Sequence, residues 1–154
     1  MSRFGMLVRQ FRASDKRLAD QADYLVLHAE ELAEDFGLWL SQTESGQTDP
    51  LCQPIEVKAV GHYLDDEGEP AYNDNLLTGE IGDTLNFALE FKLADVEISK
   101  VPSIIRLPLT MVVAEDGVKV SVSETAREFG YKRTRTPEFL FDDLYAICQK
   151  TLAV

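Results

Sequence analysis

The chain has 154 residues, of which 45% are hydrophobic and 27% charged, and a net charge of -12. That length supports a core that removes roughly two-thirds of the unfolded surface from water, and that composition excludes a disordered chain. Two cysteines, Cys52 and Cys148, are too few for a disulfide scaffold, and no apolar run approaches the ~18 residues of a membrane span.

The charge is unevenly placed. Residues 1–17 hold Arg3, Arg9, Arg12, Lys16 and Arg17 against Asp15 alone. Residues 18–49 hold eight Asp/Glu and no Lys/Arg, and residues 50–99 hold eleven Asp/Glu against Lys58 and Lys92, so the span 18–99 carries -17. Residues 100–154 are nearly balanced, with eight Lys/Arg against seven Asp/Glu. An acidic block of this size repels nucleic acid and attracts basic partners. The first residues lack the long apolar core of a signal peptide, so a cytoplasmic location is the expectation.

Residues 1–13 mix Phe4, Met6, Leu7, Val8 and Phe11 with arginines and read equally as a first strand or a helical arm. From Ser14 the pattern is clearer. Leu18, Ala22, Leu25, Ala29, Leu32 and Phe36 are spaced 4, 3, 4, 3, 4, which is an apolar stripe on a helix. Ser14 suits its N-cap and Gly37 its stop, giving a helix about 33 Å long. Asp20, Asp23, Glu30, Glu31, Glu34 and Asp35 fall mostly off the stripe. The stripe packs on a sheet, or its heptad-like spacing forms the seam of a homodimer.

Residues 41–54 carry turn chemistry throughout and read as a loop. Ile55, Val57 and Ala59 begin a strand that runs to about Tyr63, and Asp65–Pro70 makes a hairpin turn. Residues 71–77 read as a weak strand or extended loop. Thr84–Leu93 is the clearest element: Leu85, Phe87, Leu89, Phe91 and Leu93 alternate with Asn86, Ala88, Glu90 and Lys92. A strand puts those five apolar groups on one face, whereas a helix would split them between opposite sides. Val96, Ile98 and Lys100 extend it past a kink.

Residues 104–113 and 118–122 alternate around Glu115-Asp116-Gly117 and form a hairpin. Pro108 cannot donate to a ladder, so an edge or a bulge is expected there. Residues 124–135 read as a connector with a basic run. Thr136 caps the last helix, with Pro137 at its first position and an apolar stripe of Leu140, Leu144, Ile147 and Cys148. The expected fold is α+β in one domain over residues 1–154. It has an antiparallel sheet of about five strands, with the long N-terminal and the C-terminal helix packed on one face.

Catalytic and metal chemistry is thin. His28 and His62 have no partners at metal-ligand spacing, and the acidic turn Asp65–Glu69 lacks the EF-hand order. No nucleophile elbow, dinucleotide fingerprint or phosphate-binding loop is present, so no cofactor or metal is expected. The favoured reading is a non-catalytic acidic interaction protein, of adaptor, inhibitor or chaperone-like kind. It would bind a basic protein through residues 18–99, led by Asp20, Asp23, Glu30, Glu31, Glu34 and Asp35. A second reading uses Arg127, Lys132, Arg133 and Arg135, interleaved with Phe129 and Tyr131, as a groove for single-stranded nucleic acid. Against it, those cations serve to neutralise the chain's own acidic helix. A third reading is an enzyme whose carboxylate and histidine groups assemble from distant positions.

Overall fold

The computed structural model describes residues 2–42, 56–76, 84–93, 103–132 and 138–152. A long helix, α1 (Arg3–Leu40), precedes β1 (Lys58–Leu64), β2 (Pro70–Asn73), β3 (Thr84–Leu93), β4 (Ser103–Val113), β5 (Val118–Val122) and β6 (Arg127–Tyr131). The helix α2 (Glu138–Leu152) follows. The strands form one antiparallel sheet in the order β2-β1-β3-β4-β5-β6. The fold is α+β, as the sequence pattern implies, with six strands among the described residues where about five were expected.

The central strand β3 has the predicted faces. Leu85, Phe87 and Leu89 are buried, while Asn86 and Lys92 are exposed. Its inward residues stand beside Met111, Leu109, Leu107 and Ile105 of β4. Leu25, Ala29, Leu32 and Phe36 of α1, with Leu140, Phe141, Leu144 and Ile147 of α2, complete the same hydrophobic cluster. Both helices therefore cover one sheet face. Phe36 of α1 meets Phe141 of α2 edge-on at 5.3 Å, and Trp39 lies 5.7 Å from both Phe141 and Tyr145.

The largest departure from the sequence pattern is the start of α1. Residues 3–13 are helical and not a strand; they are the first three turns of one 38-residue helix. Ser2 supplies the N-cap, its hydroxyl accepting from the Gly5 N–H at 3.0 Å. Ser14 sits inside the helix, at a small propensity cost. Gly37 does not stop it either. A mid-helix glycine costs about 1 kcal/mol against alanine, and the aromatic packing of Phe36 and Trp39 on α2 outweighs that. The helix ends at Ser41, whose N–H reaches the Gly37 and Leu38 carbonyls.

The extra strand is β6, which stands where a connector was expected. Phe129 and Tyr131 face the core side beside Val120 and Val118, and Glu128 and Gly130 face out. Five residues are too few for alternation to declare itself before the pairing is known. Residues 70–73, weak by pattern, pair with β1 as β2.

Pro108 lies inside β4 and breaks nothing. Its carbonyl accepts from the Ser123 N–H at 3.3 Å, so both of its backbone groups point toward β5. The β5 ladder ends at the Leu109–Val122 pair, one residue earlier. The missing N–H falls on a stretch of edge, and the β3–β4 ladder runs past it unbroken. The cap at Thr136-Pro137, most of the loop at 41–54 and the extension at Val96–Lys100 lie outside the described residues.

Candidate interaction surface

α1 is a two-sided rod. Its apolar stripe faces the sheet from Leu25 to Phe36, and the side chains about half a turn away face solvent. Asp20, Asp23, Glu30 and Glu34 are exposed on that outer side, with Glu31 and Asp35 half-buried at its margins. No Lys or Arg lies between residues 18 and 49 to interrupt them. Two large apolar side chains share the face: Leu27 is 52% exposed and Leu38 is 54% exposed. On a helix, residues three and four apart are neighbours. Leu27 therefore has Asp23, Glu30 and Glu31 around it, and Leu38 has Glu34 and Asp35. The outer face of α1 is two leucine anchors in an acidic field.

The helix acids do not all point outward. The Tyr131 hydroxyl donates to Asp35 Oδ2, tying β6 to the C-terminal part of α1 across 96 positions of sequence. Tyr131 itself is only 2% exposed. Its ring is part of the core and its face is not open to a base.

The described part of the basic segment is engaged internally. Arg127 donates to Asp143 at 3.3 Å, and Asp143 also accepts from the Thr125 hydroxyl at 2.8 Å. Lys132 donates to Asp116 at 2.6 Å. Phe129 is partly buried against the core. An open groove of about 500 Å³ between β6 and α2 is lined by Arg127, Phe129, Phe139, Asp142 and Asp143, which mixes both charge signs. Arg133 and Arg135 lie outside the described residues.

The sheet face opposite the helices holds a cluster that sequence reading missed. His62 of β1 stacks on Tyr72 of β2 at 5.0 Å and 13°. The Arg106 guanidinium of β4 lies 4.7 Å over the same Tyr72 ring and donates to Glu90 of β3 at 2.8 Å. Strands β2 and β4 are three intervals apart, roughly 14 Å at sheet spacing. The two long side chains must therefore lie flat across β1 and β3 to meet. Beneath them Val60 and Ala88, which point away from the helices, are buried. Nothing in the local sequence marks this cluster, because its members come from four strands. It covers Val60 and Ala88 with the protein's own side chains.

Chemistry at the other titratable groups is modest. His28 Nδ1 is 2.9 Å from the Tyr24 carbonyl. Asp65 Oδ1 accepts from the Glu67 and Glu69 N–H groups at 2.9 and 2.8 Å, so the acidic hairpin tip is a turn built on its own carboxylate. Among the described residues no group of three His, Cys, Asp or Glu side chains is placed to hold a metal ion. Burial pushes the Cys148 thiol up to about 11, which leaves it protonated and unreactive at neutral pH. Among the described residues no helix is long and apolar enough to cross a membrane. Compared with models of known protein families, with curated proteins and with solved structures, the chain has no match.

Proposed function

We propose that this is a non-catalytic interaction protein that binds a basic protein partner through the outer face of α1. The observation that supports the reading is the pattern on that face. Exposed Leu27 and Leu38 stand among Asp23, Glu30, Glu31 and Glu34, on a stretch of sequence, residues 18–49, that holds no Lys or Arg. Interfaces take most of their affinity from a few apolar anchors, while surrounding charges set partner choice and association rate. A partner that fits presents apolar side chains flanked by Lys or Arg, as a basic amphipathic helix does. The excess of acid over the span 18–99 draws such a segment in from a distance.

Capture from the native host's extract with the wild-type chain and with Leu27→Ser/Leu38→Ser identifies the partner. Calorimetry with that partner then tests the face. Glu30→Lys/Glu34→Lys is expected to weaken binding by on the order of 10- to 100-fold and to flatten its salt dependence. Undiminished binding by both double variants would remove the outer face of α1 from the reading. Binding of single-stranded nucleic acid at low salt, lost in Arg133→Glu/Arg135→Glu, would replace the reading with the second one.

A further inference from the structure

The sheet ends at β2 on one side and at β6 on the other. β2 is four residues long and begins with Pro70, which has no N–H to offer. β6 is different, and the ladder shows which of its backbone groups are open. The Ser123 N–H donates to the Pro108 carbonyl, so Pro108 and Ser123 form a hydrogen-bonded pair between β4 and β5. In an antiparallel ladder hydrogen-bonded and non-bonded pairs alternate, so successive residues turn their backbone groups to opposite neighbours. Ser121 and Lys119 therefore turn theirs to β4, and Val122, Val120 and Val118 turn theirs to β6. Arg127, Phe129 and Tyr131 answer them. The N–H and C=O groups of Glu128 and Gly130 then point away from the sheet. Among the described residues those groups have no partner. The space beside them is open, since nothing lies within 4 Å of where a Cβ on Gly130 would stand.

The groove of about 500 Å³ between β6 and α2 runs beside this edge. Its α2 wall is Phe139, Asp142, Asp143 and Ala146, which share one side of the helix. Asp143 is engaged by Arg127 and Thr125. Asp142 is exposed, and among the described residues it makes no ion pair. Phe139 is 81% exposed, facing a groove whose β6 side holds the half-covered Phe129.

Open N–H and C=O groups along a sheet edge are matched by extended backbone rather than by a helix. Alternation then sorts the side chains of such a strand. Residues level with Arg127, Phe129 and Tyr131 point into the groove, and residues level with Glu128 and Gly130 point to the outer sheet face. An apolar side chain level with Phe129 fits between Phe129 and Phe139. A Lys or Arg two residues away comes within reach of Asp142. Charge separates a foreign strand from a second copy. Each copy carries -12, so pairing β6 with β6 would press two acidic bodies together. A cationic strand is drawn both by Asp142 and by the chain as a whole.

We propose that β6 and α2 form a binding groove for an extended basic peptide, which adds antiparallel to β6 through the backbone groups of Glu128 and Gly130. The site is independent of the outer face of α1.

The test is a titration of the isotope-labelled full chain with the capped peptide acetyl-Lys-Thr-Leu-Thr-Lys-amide, followed by amide NMR. In the proposed register its Leu is level with Phe129 and its two Thr are level with Glu128 and Gly130. The amides of Glu128 and Gly130 are expected to shift most, and their hydrogen exchange to slow. N-methylation of the two Thr residues removes the donors that meet the edge and should weaken binding by about 10-fold or more. Asp142→Lys, at an exposed position that leaves the fold intact, should weaken the Lys peptide by about 10-fold and favour the same peptide with Glu in place of Lys. Unshifted Glu128 and Gly130 amides at about 1 mM peptide overturn the proposal, as does equal binding of the N-methylated peptide. So does an Asp142→Lys variant with unchanged preference. Shifts around Leu27 and Leu38 in place of β6 would put the peptide on the outer face of α1, which overturns the groove and leaves the reading of that face standing. Slowed exchange at Glu128 and Gly130 without peptide, together with a doubled mass in sedimentation, would give the edge to a second copy and overturn the proposal.

Discussion

Two glycines with nearly the same backbone angle predict very different costs. Gly68, in the β1–β2 turn, has φ +80°, and Gly117, in the β4–β5 turn, has φ +81°. A non-glycine residue in that region costs roughly 1–2 kcal/mol. Replacing glycine by alanine also stiffens the unfolded chain, which returns about 0.4–1 kcal/mol. For Gly68→Ala nothing lies within 4 Å of the new Cβ, so the net cost is at most about 1.5 kcal/mol. For Gly117→Ala the new Cβ meets the Tyr131 carbonyl oxygen at 2.3 Å and Lys132 Cβ at 3.2 Å. A backbone atom cannot rotate away, so the end of β6 must move. That displacement strains the Val118–Tyr131 pairing, the Ala114–Gly117 bond at 3.1 Å and the tie from Tyr131 to Asp35. At about 1 kcal/mol for each bond weakened, the total is about 3–4 kcal/mol. In a domain of this size 1 kcal/mol shifts Tm by about 2–4 °C. Thermal unfolding followed by circular dichroism should therefore show Gly117→Ala lowered by on the order of 10 °C and Gly68→Ala by no more than about 5 °C. Equal shifts for the two variants would refute the claim that contact with β6, rather than the backbone angle, governs the β4–β5 turn.

Three further outcomes are expected. Tyr131→Phe keeps the ring and removes the donor to Asp35, which should cost about 1–2 kcal/mol in urea unfolding followed by Trp39 fluorescence, since Trp39 packs between Phe36 and Phe141. Phe36→Ala empties the junction of α1, α2 and β3 and should cost about 3–5 kcal/mol by the same measurement. Cys148, studied in a Cys52→Ser background, should resist alkylation in the folded protein at a pH of about 8.5, where a free thiol is half ionised, and react once guanidinium unfolds the chain. The same raised pKa sets a sign for stability. Well below about 8.5 the thiol is neutral in both states and has no effect, and from about 8.5 up to about 11 the unfolded state ionises before the folded one, so stability falls as pH rises.

Local pattern determines much of this protein. Strict alternation in Thr84–Leu93 is enough to identify the central strand and its buried face, because successive side chains on a strand point to opposite sides. The 4, 3, 4 spacing around Leu25 and Phe36 is enough to identify a helix and the side it buries. The acidic outer residues Asp23, Glu30 and Glu34 follow from the same periodicity. What local pattern does not carry is anything set by where an element stops relative to its neighbours. Gly37 reads as a helix stop until Trp39 is seen packed on Phe141, and β6 reads as a connector until β5 lies beside it. The cluster of His62, Tyr72, Glu90 and Arg106 exists only because four strands align in one register. The start of α1 is the plainest case. Phe4 and Phe11 belong to the same stripe as Leu25 and Leu32, and only the position of the β4–β5 turn decides which of them the sheet can reach.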